Sequence, residues 1–223
     1  MIRENIFKAR ERIPSQVIIV AVAKTRSAEE IKEAVGSGID NIGENKVQEA
    51  IEKYNELKGC GIKWHMVGHL QTNKVKDAVK IFDLIQSVDS LHLALEIDKQ
   101  AAKINKVQDV LIEVKTSPEA TKSGLKTQEA AGIIKEINAL KNINIKGLMT
   151  IAPAVAVPQD ARPYFSSLKK LYDSINASPV IPALPAGRRS PLSILSMGMT
   201  DDFEVAIEEG SNMVRLGRAI FEG

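Results

Sequence analysis

The sequence is poor in cysteine, in aromatic residues and in net charge, and each shortage excludes a class of protein. A single cysteine, Cys60, rules out an intramolecular disulfide and favours a reducing compartment. Aromatic residues make up only 4% of the chain, which argues against a platform that stacks nucleic-acid bases. The 30 basic and 28 acidic residues leave a formal net charge of +2, too balanced for a dedicated binder of nucleic acid or anionic membranes.

Long hydrophobic runs are also missing. No segment approaches the roughly 20 consecutive apolar residues of a transmembrane helix, and the first residues lack the apolar core of a secretory signal. We therefore expect a cytoplasmic protein with neither a membrane nor a nucleic acid among its partners. His65 and His69 straddle a predicted strand end without cysteine or carboxylate residues in a supporting pattern, so we expect no metal site.

The dominant pattern is an alternation of short β-branched runs with longer segments of helical periodicity. Eight runs are predicted strands: 17–23, 39–43, 62–68, 83–88, 109–114, 145–151, 192–196 and 213–216. Eight strands interleaved with helices favour one (β/α)8 barrel of TIM type over residues 1–223, and an open doubly wound sheet is the alternative.

Helical signals lie between these runs. The segment Ser27-Ala-Glu-Glu30 predicts a capping box after the first strand. Three apolar stripes at helical spacing begin at Val47, Ala130 and Phe165. The proline-rich stretch 177–193 interrupts the alternation and predicts a mobile loop.

Reactive groups of such a barrel gather where the strands end. Lys24 comes directly after the apolar run 17–23, at the end of the first strand. A partly desolvated lysine at a barrel mouth has a lowered pKa and attacks a carbonyl as the neutral amine. On spacing alone, a lysine that is exposed to solvent at the rim of the barrel is an equally weighted alternative.

The last two strands predict an anion site. Ser196-Met-Gly198-Met-Thr200 runs from a strand into a helix, and Arg215-Leu-Gly217 ends the final strand. Glycine allows the backbone to approach a ligand, and barrel phosphate sites commonly use the loops after strands seven and eight. Together with Lys24, these segments indicate an aldehyde-reactive amine that faces a phosphate cradle. Glu113 and Lys115, in the fifth predicted strand, are expected either inside the barrel or at its mouth, and a structural ion pair and a catalytic role both remain open.

Several segments spread over the chain resemble one known family. They are Val20–Lys24, Asn41–Asn45, Trp64–Lys74, Gly147–Pro153, Ser196–Thr200 and Gly210–Phe221. In this order they are similar to the pyridoxal phosphate homeostasis protein family (YggS/PROSC type), which is related to the N-terminal barrel of alanine racemase. The resemblance implies a single barrel domain over 1–223, like that of fold type III enzymes, with an extra N-terminal helix.

The resemblance also implies a cofactor, pyridoxal 5′-phosphate (PLP), and roles for individual residues. Lys24 matches the lysine that forms a Schiff base with PLP. Ser196, Gly198 and Gly217 match positions around the phosphate, and Arg215 matches the arginine that faces the pyridine nitrogen. Asn45 and His65 match residues that line the pocket.

Three functions remain open. The resemblance favours a PLP-binding protein that buffers or delivers the cofactor in the cell, in transient contact with PLP-dependent apoenzymes, without efficient catalysis and as a monomer or weak dimer. A weak PLP-dependent amino-acid racemase is the alternative, because the related racemases use a similar arginine. A Schiff-base aldolase is the third, but no acid or base group stands beside Lys24 in the sequence.

Overall fold

The computed structural model describes residues 1–117, 119, 123–177 and 191–222. The part of the predicted proline-rich loop from 178 to 190 lies outside the described residues. Nine strands follow one another within these described residues: β1 (Ile18–Val22), β2 (Asn41–Glu44), β3 (Lys63–Met66), β4 (Leu84–Val88), β5 (Gln108–Lys115), β6 (Leu125–Lys126), β7 (Ile143–Met149), β8 (Ile194–Ser196) and β9 (Met213–Leu216).

Nine α-helices accompany these strands in the described part of the chain: α1 (Ile2–Arg12), α2 (Ala28–Gly36), α3 (Val47–Glu56), α4 (Val75–Ile81), α5 (Leu91–Ala102), α6 (Thr127–Asn138), α7 (Arg162–Ala177), α8 (Phe203–Glu208) and α9 (Arg218–Phe221). Two short 3₁₀ helices precede α4 and α7, at Thr72–Lys74 and Pro158–Ala161. Across the described residues, no helix is both long and apolar enough to cross a membrane.

Eight parallel strands close into a barrel. The hydrogen-bonded order is β4-β3-β2-β1-β9-β8-β7-β5, and β4 also pairs with β5, which completes the circle. Each predicted strand corresponds to one of these eight, and the closed (β/α)8 barrel is confirmed. The short strand β6 pairs with the end of β5, and the sequence analysis had not predicted it.

The helices pack around the barrel by the apolar stripes read from the sequence. In α3, Val47 and Ala50 are buried, and in α6 the buried residues are Ala130, Ile134 and Ile137. The predicted capping box of α2 is present, since the Ser27 hydroxyl accepts from the Glu30 amide while the Glu30 carboxylate accepts from the Ser27 amide.

The extra N-terminal helix α1 packs beside α9, and the Asn5 side-chain amide donates to the carbonyl of Ile220 at 3.2 Å. This contact joins the beginning of the described chain to its last helix. The first and last strands are also neighbours, because β1 pairs with β9 over four residues from Ile18 to Ala21. The two ends of the sequence therefore meet on one side of the barrel.

Candidate functional site

A cavity of about 520 Å³ lies at the end of the barrel where the strands terminate. We call it the central cavity. Its wall includes residues that follow β1, β2, β3, β7, β8 and β9, or lie in them: Val22, Lys24, Asn45, Gly68, Ile151, Thr200, Arg215 and Gly217. Parallel strands explain this convergence, because all their carboxyl ends lie at one face of the barrel.

Lys24 reaches the central cavity from a tight turn. Strand β1 ends at Val22, and Thr25 has a φ of 63°, a left-handed conformation that is unusual for a β-branched residue. The Ala23 carbonyl accepts a hydrogen bond from the Lys53 ammonium at 2.7 Å. The chain therefore stops its strand and holds the backbone at Lys24, while the Lys24 side chain stays exposed.

Lys53 is itself held by a buried carboxylate. Its ammonium lies 2.7 Å from a carboxylate oxygen of Glu44, whose side chain has no exposed surface. Burial raises the pKa of Glu44, although the Lys53 ammonium opposes that effect. Helix α3 and strand β2 are thereby tied to the residue that precedes Lys24.

Asn45 follows β2 and is brought against the end of β3. An added Cβ at Gly68 would lie 2.5 Å from the Asn45 carbonyl oxygen. Only glycine permits this approach of the two loops, so Gly68 helps to place Asn45 in the cavity wall.

The loops after β8 and β9 meet beside Lys24. The Thr200 hydroxyl oxygen accepts from the Ala219 amide at 3.3 Å, which links the two loops. A Cβ at Gly217 would meet protein atoms only at 3.6 Å or beyond, so protein packing leaves this position open. The missing side chain at Gly217 therefore widens the cavity.

Arg215 forms the buried, cationic part of the cavity wall. Its guanidinium donates from one nitrogen, Nη1, to the Ser196 hydroxyl at 2.7 Å and from the other, Nη2, to the Thr150 carbonyl at 2.8 Å. Burial lowers the pKa of Arg215 to about 10, which still leaves the guanidinium charged at neutral pH. The cation is thus fixed in orientation.

A chain of hydrogen bonds continues from Arg215 through the barrel interior. The Ser196 hydroxyl donates to the Gln86 side-chain oxygen at 2.7 Å, and the Gln86 amide donates to Nδ1 of His65 at 2.9 Å. Nε2 of His65 then donates to the Asn41 side-chain oxygen at 3.0 Å. All donors point away from Arg215, so each bond polarises the next.

This buried chain decides the state of His65. Only a neutral ring, protonated on Nε2, can accept from Gln86 and donate to Asn41 at once. Burial in the barrel agrees, because it lowers the pKa of His65 to about 4.

The structure brings together four of the seven residues singled out from the sequence. Lys24, Asn45, Arg215 and Gly217 line the central cavity. The other three lie outside its wall: His65, Ser196 and Gly198.

His65 and Ser196 are 3% and 0% exposed, and both belong to the hydrogen-bond chain that ends at Arg215. Gly198 has a φ of +93°, and a Cβ there would lie 2.6 Å from that of Ala206. It serves the packing of α8 against the end of β8.

Sequence reasoning missed Gln86, which joins His65 to Ser196. The sequence feature that could have revealed it is a polar glutamine at an inward position of β4, a strand whose five residues are all buried. Glu113 lies on the interior face of β5, as does Leu111 two residues earlier.

The predicted alternatives for Glu113 included a structural ion pair. In the described part of the chain, Glu113 forms neither an ion pair nor a hydrogen bond, and burial raises its pKa to about 7. An acidic group without a partner therefore faces the barrel interior.

Known proteins share this architecture over its whole length. The family model for the alanine racemase N-terminal domain matches residues 1–223. A pyridoxal phosphate homeostasis protein of Aquifex aeolicus is 42% identical, over 98% of this chain and 93% of that one. The corresponding protein of Synechocystis is 38% identical over 94% of this chain and 92% of its own length.

Solved structures agree. PipY of Synechococcus elongatus, with PLP bound, aligns with a TM-score of 0.88 at 32% identity and covers 99% of this chain and 100% of that one. An alanine racemase of Clostridium difficile aligns with a TM-score of 0.76 over 98% of this chain and 58% of the racemase. At 19% identity the racemase shows a shared fold only.

Proposed function

Since the chain belongs to the pyridoxal phosphate homeostasis protein family, within the wider family of alanine racemase N-terminal domains, we propose that it binds PLP as a Schiff base on Lys24. In this proposal it buffers or delivers the cofactor in the cytoplasm, in transient contact with PLP-dependent apoenzymes, as one barrel domain that is monomeric or weakly dimeric. The observation that carries the proposal is the meeting of Lys24 and Arg215 in one cavity.

The cavity suits a phosphorylated pyridine aldehyde. A volume of about 520 Å³ lies in the range of small-molecule sites. Lys24 supplies a primary amine at the rim, and Arg215 supplies a fixed cation deeper in the wall. Gly217 leaves room that a side chain would fill, beside the hydroxyl of Thr200.

Each side chain has a distinct part in the proposed binding. Lys24 provides the nitrogen for attachment, Thr200 and Gly217 flank the phosphate, and Arg215 faces the pyridine nitrogen. When bound, PLP supplies an aldehyde that condenses with amines and a ring that withdraws electrons from them. Arg215 is charged and accepts no proton at neutral pH, so it keeps that ring in its weaker electron-withdrawing form.

A carrier fits the wall of the central cavity better than a racemase does. Racemisation needs a base on each face of the reacting carbon. Among the described residues that line the cavity, Lys24 is one such group and no tyrosine or histidine stands with it, while the carboxylates Asp201 and Glu222 are ion-paired with Arg218 and Arg26. We therefore place efficient catalysis outside the proposal and keep weak racemase activity as the alternative.

Reduction with borohydride tests the attachment. The PLP-loaded wild type should gain one reduced phosphopyridoxyl group, and mass spectrometry should place it on the peptide that contains Lys24. Lys24→Ala should lose both the label and the aldimine absorbance while it remains folded, since Lys24 is exposed. Lys76→Ala, at an exposed position on α4, is the matched control and should keep both. A label on another lysine in the wild type would sink the proposal.

The carrier and the racemase are separated by turnover. The loaded protein is incubated with L-alanine, and the D-isomer is measured by chiral chromatography. A carrier should form no more D-alanine than free PLP does at equal concentration. Sustained formation of D-alanine that requires Lys24 would contradict the carrier function and support the racemase.

A further inference from the structure

A second, smaller cavity adjoins the central cavity. It has a volume of about 280 Å³ and lies near the ends of β3 and β5. The two cavities share three wall residues, Val67, Gly68 and Ile151, and are therefore directly adjacent. We call the smaller one the side chamber, and its other lining residues include His69, Glu113 and Lys115.

Glu113 is the residue of the side chamber that indicates a ligand site. It is 7% exposed and forms no hydrogen bond within the described part of the chain. Its carboxylate lines the side chamber, so a ligand that enters there can donate hydrogen bonds to it. The Ser117 hydroxyl in the same wall is also buried without a partner among the described residues. The unsatisfied Ser117 hydroxyl and the Glu113 carboxylate, which has no hydrogen-bond partner among the described residues, therefore line one small space.

Of the charged groups near Glu113, Asp89 and Arg215 already have partners of their own, whereas the Lys115 ammonium in the same wall has none among the described residues. Asp89, after β4, lies 3.1 Å from Nδ1 of His69. Arg215, on β9, directs its nitrogens to Ser196 and Thr150. Glu113 is thus the carboxylate left free to accept hydrogen bonds in the side chamber, and a compact cation with several N–H donors would satisfy it best.

We propose that the side chamber is a binding subsite for a small primary ammonium compound, with Glu113 as the carboxylate that holds it and takes its proton. This inference rests on the proposed attachment of PLP to Lys24. To that proposal it adds the class of molecule that would remove PLP from Lys24. The ammonium group binds in the side chamber, which shares three wall residues with the cavity that Lys24 lines.

The proton and bond changes balance without an oxidant or reductant. The bound ammonium gives one proton to Glu113, and the resulting neutral amine adds to the carbon that is doubly bonded to the Lys24 nitrogen. As the new carbon–nitrogen double bond forms, the two protons left on the attacking nitrogen pass to the Lys24 nitrogen, and the bond between that nitrogen and the carbon breaks. The Lys24 amine leaves and takes up the proton that Glu113 held. Burial raises the pKa of Glu113 to about 7, which suits a group that takes and returns a proton near neutral pH.

The first test uses the protein without PLP, so that it does not depend on the attachment. Ethylammonium chloride should raise the melting temperature of the wild type above that in sodium chloride of equal ionic strength. The same salt should give no such rise with Glu113→Gln, which keeps the shape of the side chain and removes its charge. Glu129→Gln, an exposed residue on α6 paired with Lys126, is the control and should respond as the wild type does. Equal responses of the wild type and Glu113→Gln would overturn the inference.

The second test measures release from the loaded protein. At pH 7.5 the rate of cofactor exchange with ethylamine, which is cationic, should fall about tenfold or more in Glu113→Gln. Exchange with hydroxylamine, which is uncharged at this pH, should keep its wild-type rate because it needs neither the negative charge nor the base. A loss of both rates would indicate a damaged cavity and contradict the assignment, as would unchanged rates with both amines.

The same comparison identifies the natural source of the amine. L-Alanine represents a free amino acid, and a lysine blocked at both backbone ends represents the side chain of an acceptor protein. The source whose exchange rate depends on Glu113 is the one that uses the side chamber. If PLP proves to be bound elsewhere, the borohydride experiment reports that failure separately, and the thermal test without PLP still decides whether Glu113 holds an ammonium group.

Discussion

At the scale of single residues, the site depends on side chains that never reach the cavity. Arg215 alone would be a flexible cation, but the Ser196 hydroxyl and the backbone carbonyl of Thr150 fix both ends of its guanidinium. Gln86 and His65 extend this support into the barrel. Because the donors all point one way, replacement of any member leaves a buried group unsatisfied, at a cost of about 1–3 kcal/mol.

Gly217 provides a test of the phosphate cradle at this scale. Gly217→Ala should fold normally, because the nearest protein atom to the new Cβ is 3.6 Å away. The added methyl group should obstruct a phosphate that approaches the backbone, and we expect the dissociation constant for PLP to rise about tenfold, or about 1.4 kcal/mol. Absorbance titration with PLP measures it. Unchanged affinity in a folded variant would remove Gly217 from the proposed cradle.

At the scale of secondary-structure elements, the residues at the strand ends shape the cavity more than those within the strands. The turn at Thr25 ends β1 so that Lys24 meets the cavity, and Gly68 lets the loop after β3 touch Asn45. Within the strands, Gly147 of β7 faces the backbone of β8, where a Cβ would lie 1.8 Å from the Ile194 carbonyl oxygen. Close backbone approach at this pair helps to close the barrel.

Two glycine-to-alanine replacements should therefore act in opposite directions. Gly147→Ala should lower the free energy of unfolding by about 3 kcal/mol or more, because the backbone of β8 must move away. Gly132→Ala, at an exposed position of α6 with no atom within 4 Å of the new Cβ, should raise it by up to about 1 kcal/mol. Urea unfolding of the two variants measures the changes, and a stable Gly147→Ala protein would show that the β7–β8 contact adjusts freely.

At the scale of the whole molecule, two buried groups in the barrel oppose each other in acid. Burial lowers the pKa of His65 to about 4 and raises that of Glu113 to about 7. Between roughly pH 4.5 and 6.5, the unfolded chain carries a proton on histidine that the folded protein lacks. In the same range, the folded protein keeps a proton on Glu113 that the unfolded chain has lost. The His65 effect makes stability rise with pH, and the Glu113 effect makes it fall.

Glu113→Gln removes one side of this balance. When the pH is lowered from 6.5 to 4.5, the free energy of unfolding of the variant should fall more steeply than that of the wild type. The difference between the two proteins should change by about 2 kcal/mol over this range, since one shifted pKa unit corresponds to about 1.4 kcal/mol. Denaturant unfolding of both proteins without PLP at several pH values provides the measurement. Parallel profiles would contradict a raised pKa at Glu113.

The sequence by itself determined the barrel and most of its strand ends. Eight β-branched runs predicted eight strands, because parallel strands covered by helices must be apolar, and the capping box at Ser27 followed from local hydrogen bonding. The positions of Lys24 and Gly217 at strand ends were equally local. Strand β6 was missed because its two residues are too short to show a period.

Only the tertiary structure decided how the inward side chains combine. Barrel closure sets Ser196 between Gln86 and Arg215, residues 110 and 19 positions away in sequence, and so placed Ser196 in the support of the cation instead of in the cavity wall. The same closure left Glu113 beside a second cavity, without a hydrogen-bond or ion-pair partner among the described residues. Periodicity tells which way a side chain points, but its partners depend on strand register around the whole barrel, which no local pattern encodes.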